Sequence, residues 1–384
     1  MTKFVPYLLW LLLFWTLFLR RAWPFSRKIA AGIGLAVVIF PYHLLRWIAN
    51  CCPETELENW PHEIWLAAQF LYCTAVFCCG FVALDGMLYA VMKWYCRKKE
   101  LPCRYRHLRI RFHVLVPAAA LLSALGIVFS LMPPRVREFV VELENYPSRA
   151  EELRIAAVSD LHFDPVYDHR YAARIVRALN NMNPHVIFLL GDFSNTLNGL
   201  SPAVLAELKK LSAPEGVYAV TGNHEYYPEG RRNFRFLNSI GVIFLCNEHL
   251  KLKDFDLFLA GVNDPWAKTG IHASGRESFL PGIKQAVRGI PHEKTVIMLC
   301  HQPKLFPEAA ANHVALQLSG HIHGGLFPGL HWIFAFVQKY TSGVYSCGKA
   351  KMIVSRGTGV WCGFPCRFGF SGEVLLVKVR RPSR

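Results

Sequence analysis

The sequence predicts a bundle of four membrane-spanning helices followed by an α/β domain, and three observations carry that reading. Hydrophobic residues make up 53% of the 384, and the mean hydropathy is positive at +0.23, above what a soluble enzyme needs. Long apolar runs are confined to the first 134 residues. Beyond them, short apolar runs alternate with amphipathic helical ones, and five of the short runs end in Asp, Asn or His.

The long runs cover residues 4–19, 29–49, 64–92 and 114–132, each close to the ~20 residues that cross a bilayer core. The first is short, yet no small-residue cleavage pattern precedes Arg20 and Arg21, so it is taken as a span rather than a removable leader. Arg20, Arg21, Arg27 and Lys28 follow the first span. Lys93, Arg97, Lys98, Lys99, Arg104, Arg106, Arg109 and Arg111 follow the third. Short basic loops stay on the cytoplasmic side. The loop carrying Glu54, Glu56, Glu58 and Glu63 then lies outside, and so does everything after Met132. This predicts a multi-pass protein of the inner (cytoplasmic) membrane whose domain after Met132 is exoplasmic or periplasmic. Gln69, Asp85, His43 and Arg46 are the polar residues within the spans, and Pro41 and Pro117 kink or cap their helices. No internal repeat suggests a transporter.

Met132-Pro133-Pro134 stops the last span, which places the membrane region at 1–134. Residues 136–144 alternate apolar and polar as an edge strand does, giving a linker and strand over 135–152 before the main domain at 153–380. Within that domain, Tyr171, Ile175, Val176 and Leu179 recur at helical spacing until Pro184. Leu205, Leu208 and Leu211 mark a second helix, and Phe234, Phe236, Leu237 and Ile240 a third. Later, over 251–262 and 344–379, strand follows strand, as expected of a second sheet packed on the first.

Chemistry collects where strands end. Leu153–Val158 runs into Ser159-Asp160-Leu161-His162, and residues 185–190 run into Gly191-Asp192. Residues 216–220 lead to Gly222-Asn223-His224-Glu225, 295–299 to His301, and 314–318 to Gly320-His321-Ile322-His323-Gly324. The carboxyl ends of parallel strands are where open α/β sheets build their sites. One Asp or His after a strand is ordinarily a cap or a loop hydrogen-bonder, but five such ends together form a donor set. Asp160, His162, Asp192, Asn223, His301, His321 and His323 offer oxygen and nitrogen, with no thiolate, and are too many for one tetrahedral ion. Two divalent ions sharing a carboxylate fit the count, with Mn, Fe, Zn or Co all acceptable to such donors.

These ordered blocks, Asp-x-His, Gly-Asp, Gly-Asn-His-Glu, His and Gly-His-x-His, resemble those of the calcineurin-like metallophosphoesterases over residues 153–378. The chain is similar in particular to membrane-anchored bacterial members, to secreted phosphodiesterases and to the UDP-diacylglucosamine hydrolases of the lipid A pathway. The resemblance implies a two-sheet αββα sandwich. It further implies that Asp160, His162 and His323 hold one ion, that Asn223, His301 and His321 hold the other, and that Asp192 bridges them. It places His224 beside the leaving group. There His224, held by Glu225 or a nearby carboxylate, is the candidate either to protonate the leaving alkoxide as the catalytic acid or to stabilise charge on the phosphoryl oxygens; the alternative for Glu225 is a pair with Arg231 or Arg232. In the family a further acidic residue often follows the second block, whereas here Asp192 is followed by Phe193, Ser194 and Asn195.

Two function classes follow. The first is a phosphoester hydrolase acting on a phosphodiester or pyrophosphate at the membrane surface, with a lipid-linked substrate favoured. The second is a metal-binding membrane sensor or scaffold that keeps the fold without turnover; the complete ligand set argues against it. The formal charge is +16, and the part after residue 134, with 29 basic and 21 acidic residues, is itself basic, which suits anionic substrates or headgroups. The membrane tether makes nucleic acid the less fitting anion. Arg231, Arg232 and Arg235 either face the phosphate or form a solvated helix face. The apolar stretch 326–337 is either core or a loop dipping into lipid. Cys362 and Cys366 either close a small loop or remain buried thiols, and Cys300 belongs to the core.

Overall fold

The computed structural model describes residues 24–52, 60–102, 112–147, 152–196, 198–227, 231–252, 254–269, 280–325, 339–369 and 371–382. Two compact units emerge. One is built from the apolar helices together with Gly363–Cys366, the other from Ala49–Asn59, Phe129–Cys362 and Arg367–Arg384.

The helical unit contains α1 (Phe25–Cys51), α2 (His62–Lys98) and α3 (Phe112–Leu131). Among the described residues three helical stretches, Gly32–Cys51, His62–Lys98 and Val114–Leu131, are long and apolar enough to cross a membrane. They match the second to fourth expected spans. The first, residues 4–19, lies outside the described residues, as do Glu54, Glu56, Glu58, Arg104, Arg106 and Arg109 of the loops. Pro41 and Pro117 are accommodated inside α1 and α3. Val37, Phe40, Trp47, Leu84, Met87 and Leu121 are exposed, as side chains facing lipid would be in a structure without a bilayer. Within this unit Tyr42 stacks on Tyr72 at 4.3 Å, and Gln69 Nε2 donates to the Pro365 carbonyl at 2.7 Å. Cys366 Sγ lies 3.2 Å from Cys73 Sγ, and neither these two nor Cys362 is joined in a disulfide. Of the two expectations for the 362–366 pair, the structure has the unbridged one.

The α/β unit is two mixed six-stranded sheets. The first contains β1 (Arg135–Glu142), β2 (Leu153–Val158), β3 (Val186–Leu189), β4 (Val217–Ala219), β5 (Ile243–Phe244) and β12 (Glu373–Arg380), in the order β1-β12-β2-β3-β4-β5. The second contains β6 (Glu248–Leu252), β7 (Leu257–Gly261), β8 (Val296–Leu299), β9 (Leu316–Ser319), β10 (Gly343–Cys347) and β11 (Ala350–Val354), in the order β10-β11-β9-β8-β7-β6. The four strands β2 to β5 run parallel, as do β7, β8, β9 and β11. Buried on both faces, these strands need continuous apolar runs, and β3 and β8 are apolar at every position.

Leu153, Ile155, Phe188 and Tyr218 of the first sheet meet Leu257, Leu259, Ile297, Leu318 and Ile353 of the second in one core. Behind the second sheet, α7 (Ile283–Ala286) and α8 (Phe306–Ala311) supply Ile283, Ala286 and Ala309, which pack on Val262, Met298 and Cys300. The expected helices form as α4 (His169–Asn180), α5 (Pro202–Leu208) and α6 (Arg231–Ser239). Asp168 caps α4 by accepting from Arg170 N, and Ser201 with Pro202 starts α5. Leu211, expected on the second helix, and Ile240, expected on the third, lie beyond the ends of those helices. The strand expected in the linker, β1, pairs in parallel with β12 and so is an integral edge of the first sheet.

Candidate metal centre

Each ligand candidate follows the carboxyl end of a parallel strand: Asp160 and His162 follow β2, Asp192 follows β3, Asn223 follows β4, His301 follows β8, and His321 and His323 follow β9. To turn side chains back over the strand ends, the backbone leaves its usual regions. Asp160, His162, Asp192, His321 and His323 have φ of 55°, 48°, 59°, 75° and 51°. Such left-handed conformations in non-glycine residues cost of the order of 1 kcal/mol each and concentrate at functional sites. Two glycines let the segments approach: a Cβ on Gly222 would collide with the Asp192 carboxylate, and one on Gly320 with Ser159 and Asp160.

The donors converge in three overlapping clusters: Asp160 with His162 and His323, His162 with Asp192 and His224, and Asp192 with His301 and His321. Within each cluster the donor atoms all lie within 4.8 Å of one another. His162 Nε2 is 3.2 Å from His323 Nε2 and 3.8 Å from Asp192 Oδ2, while His301 Nε2 is 3.3 Å from Asp192 Oδ2 and His323 Nε2 is 3.5 Å from Asp160 Oδ1. Donors about 2.0–2.2 Å from a shared ion are separated by such distances. The donor chemistry fits a divalent cation, and Asn223 adds an amide Oδ1 that is buried without a hydrogen-bond partner.

Burial and mutual charge set the protonation states. Burial drives His321 down to about 3 and His323 to about 4, leaving neutral imidazoles with lone pairs to give. Burial, then His224, holds His162 well below its ordinary value. For Asp192, burial alone would act upward, but the His301 and His224 charges win and keep it ionised. His301, which burial would lower, is raised by that same carboxylate. Its Nδ1 lies 2.6 Å from the Leu190 carbonyl, so Nε2 is the atom presented to Asp192.

His224 is half-buried, with its ring centroid 4.7 Å from that of His162 and its backbone N–H donating to Asp192 Oδ1 at 2.9 Å. The expected holder of its imidazole is not Glu225. That carboxylate is buried and accepts from the backbone amides of Asp192, Phe193 and Gly222 at 2.9, 3.0 and 2.8 Å. Glu225 therefore braces the loop of Asp192 against that of Asn223. Arg232, its other expected partner, is exposed and reaches Asn198 Oδ1 at 3.5 Å; Arg235 is exposed too, which agrees with a solvated helix face. The side chain of Arg231 and the whole of 326–337 lie outside the described residues. Asn195, which stands where the family often has an acid, donates to the His162 carbonyl at 3.1 Å.

Sequence comparison decides the family. A model of the calcineurin-like phosphoesterases matches residues 153–325. An uncharacterized metallophosphoesterase of Aquifex aeolicus is 31% identical over 251 residues, 64% of this chain and 92% of that protein. The chain belongs to the calcineurin-like metallophosphoesterases. Two transmembrane proteins with a metallophosphoesterase domain are also similar, each at 30% identity. The one from Bos taurus aligns over 77% of this chain and 69% of its own length, the one from Danio rerio over 68% and 61%. The chain thus spans somewhat under two thirds of the zebrafish relative. Among the described residues, this chain carries three apolar helices ahead of the matched region.

Proposed function

We propose that this metallophosphoesterase is a membrane-anchored, metal-dependent phosphoester hydrolase that cleaves a phosphodiester or pyrophosphate bond of a lipid-linked or membrane-surface substrate. The observation that carries the reading is the sharing of His162 and Asp192 among the three donor clusters, which makes one continuous site of two halves. Asp160, His162 and His323 would hold one divalent ion, Asn223, His301 and His321 a second, and Asp192 both. When bound, the ions supply Lewis-acid charge at the phosphoryl oxygens and a water acidified toward neutrality. The chain's own residues do the rest. Glu225 fixes the Asp192 backbone, and Asp192 in turn fixes His224 through its amide. His224 then gives a proton to the departing oxygen.

In this reading 1–134 is a four-span anchor in the inner membrane, and the catalytic domain at 153–380 faces the exoplasmic side. The basic loops around Arg20 and Arg97 support that orientation. The interval between Met132 and Leu153 is short, and a short tether supports a lipid-linked substrate. Purified protein with Mn should hydrolyse chromogenic diesters and, more efficiently, lipid diesters or nucleotide-linked lipids. Inactivity toward every one of them would overturn the reading. A reporter active only outside the cytoplasm should be active when fused after Arg384 and silent between Arg97 and Arg109; the reverse pattern would put the site in the cytoplasm.

A further inference from the structure

Beyond the ligands, the least expected group in the α/β unit is Arg367, whose side chain is fully buried. A guanidinium is almost never fully buried unless its fork of donors is used. Here Nη1 donates to the Arg356 carbonyl at 3.0 Å, and Nη2 donates to the carbonyls of Gly357, at 2.9 Å, and Gly359. The loop held in this way is bonded to the ligand segment after β2. Thr358 N donates to the Ser159 carbonyl and Gly359 N to the Asp160 carbonyl, both at 2.8 Å. In the same loop, Gly357 has φ of +74°, and a Cβ there would stand 3.1 Å from Asp160 Cβ and 3.1 Å from His323 Nδ1. One layer of backbone therefore separates the guanidinium from two ligands of the same half-site.

We propose that Arg367 is a positioning residue for the half-site of Asp160, His162 and His323. Its fork clamps the carbonyls of residues 356–359, and that loop fixes the left-handed backbone at Asp160 and the wall against which the His323 ring rests. Three carbonyls gathered by one planar group require arginine, because the compact ammonium of lysine cannot span them. In the other half Asn223 and His301 are held by Glu225 and by the Leu190 carbonyl, while His321, whose backbone N–H donates to the Asp160 carboxylate at 3.0 Å, is tied to the first. The inference rests on the two-ion reading, and it adds that the two ions depend on different supports.

The test is a Mn titration followed by electron paramagnetic resonance, with circular dichroism confirming the fold. The wild-type protein should take up two ions with the spectrum of a coupled pair. Arg367→Lys and Arg367→Gln should weaken one ion by about 10–100-fold, the usual effect of losing a group that orients a ligand, and leave the other unchanged. At intermediate Mn the spectrum is then that of an isolated ion. Gly357→Ala keeps the guanidinium but presses from the same loop on Asp160 and His323, and on Arg367 Nη2 at 3.3 Å, and should weaken the same ion; it decides the matter if the Arg367 variants do not fold. In a His321→Ala background, where only the Asp160 half remains, Arg367→Gln should remove the remaining ion. Retention of that ion, or equal weakening of both ions in the single variants, would overturn the role of Arg367. A single ion in the wild-type protein would instead overturn the two-ion reading on which it rests.

Discussion

The two halves of the proposed metal centre are held in different ways. In one half all three ligands, Asp160, His162 and His323, have left-handed backbone, at φ of 55°, 48° and 51°. In the other, Asn223 has an ordinary helical φ of −70°, and among its ligands only His321 is left-handed. The strained half leans on a neighbouring loop, through the bonds from Thr358 and Gly359 to Ser159 and Asp160. The relaxed half is fixed by segments that themselves carry proposed ligands, through the His301 bond to Leu190, two residues before Asp192, and the Glu225 carboxylate beneath Gly222. Strain of this kind persists only where surrounding structure over-determines it. The first half should therefore respond to substitutions far along the chain, and the second mainly to changes beside its own ligands.

The largest expected effect comes from the residue common to both halves. Asp192→Asn should lower diester hydrolysis by several orders of magnitude while the protein still folds and inserts, measured as kcat on a chromogenic diester; wild-type rates would remove Asp192 from the site. Next comes His224→Ala, which tests whether the ring beside His162 is the proton donor. Loss of about 10²–10⁴-fold is expected for poor leaving groups and little for good ones, and equal losses on both would end that role. Glu225→Gln is smaller again. It turns one acceptor into a donor facing buried amides, which costs about 1–3 kcal/mol of stability and about 10–100-fold in metal affinity. Calorimetric metal binding unchanged from wild type would show that the brace is dispensable.

The smallest effect concerns Asp264, which accepts from Gln302 Nε2 at 2.9 Å, next to His301, and is pushed up to about 7 by burial. Between its ordinary range and about 7 the folded state holds a proton that the unfolded chain has lost, so stability falls as pH rises across that window. In metal-free protein, Asp264→Asn should therefore gain melting temperature over wild type, by an amount that grows from about pH 5 to about pH 8. A gain that grows toward acid would contradict the assignment.

Much of this was legible in the sequence because buried parallel strands need unbroken apolar runs, and a run ending in Asp, Asn or His marks both the strand and its site. Residues 185–190 announced β3 and Asp192 together in this way. Long-range pairing was not legible. β1 resembles a linker strand until Arg135 is set beside Glu373, because register between distant segments is decided by tertiary packing. The support residues were also hidden. Glu225 stands inside a recognisable block, yet nothing in Gly-Asn-His-Glu says that its oxygens turn away from His224 to three backbone amides. Arg367 is one more basic residue in a basic chain, and only its burial shows that it is structural. The left-handed φ values carry a faint signal at most, since Asp and His tolerate that region better than most residues without requiring it.

The central claim is that two ions share Asp192, and anomalous diffraction at the Mn edge from crystals grown with Mn tests it most directly. The account predicts two peaks, one bounded by Asp160, His162 and His323, the other by Asn223, His301 and His321, with the Asp192 carboxylate between them. A single peak, or a pair with Asp192 contacting only one, would contradict it.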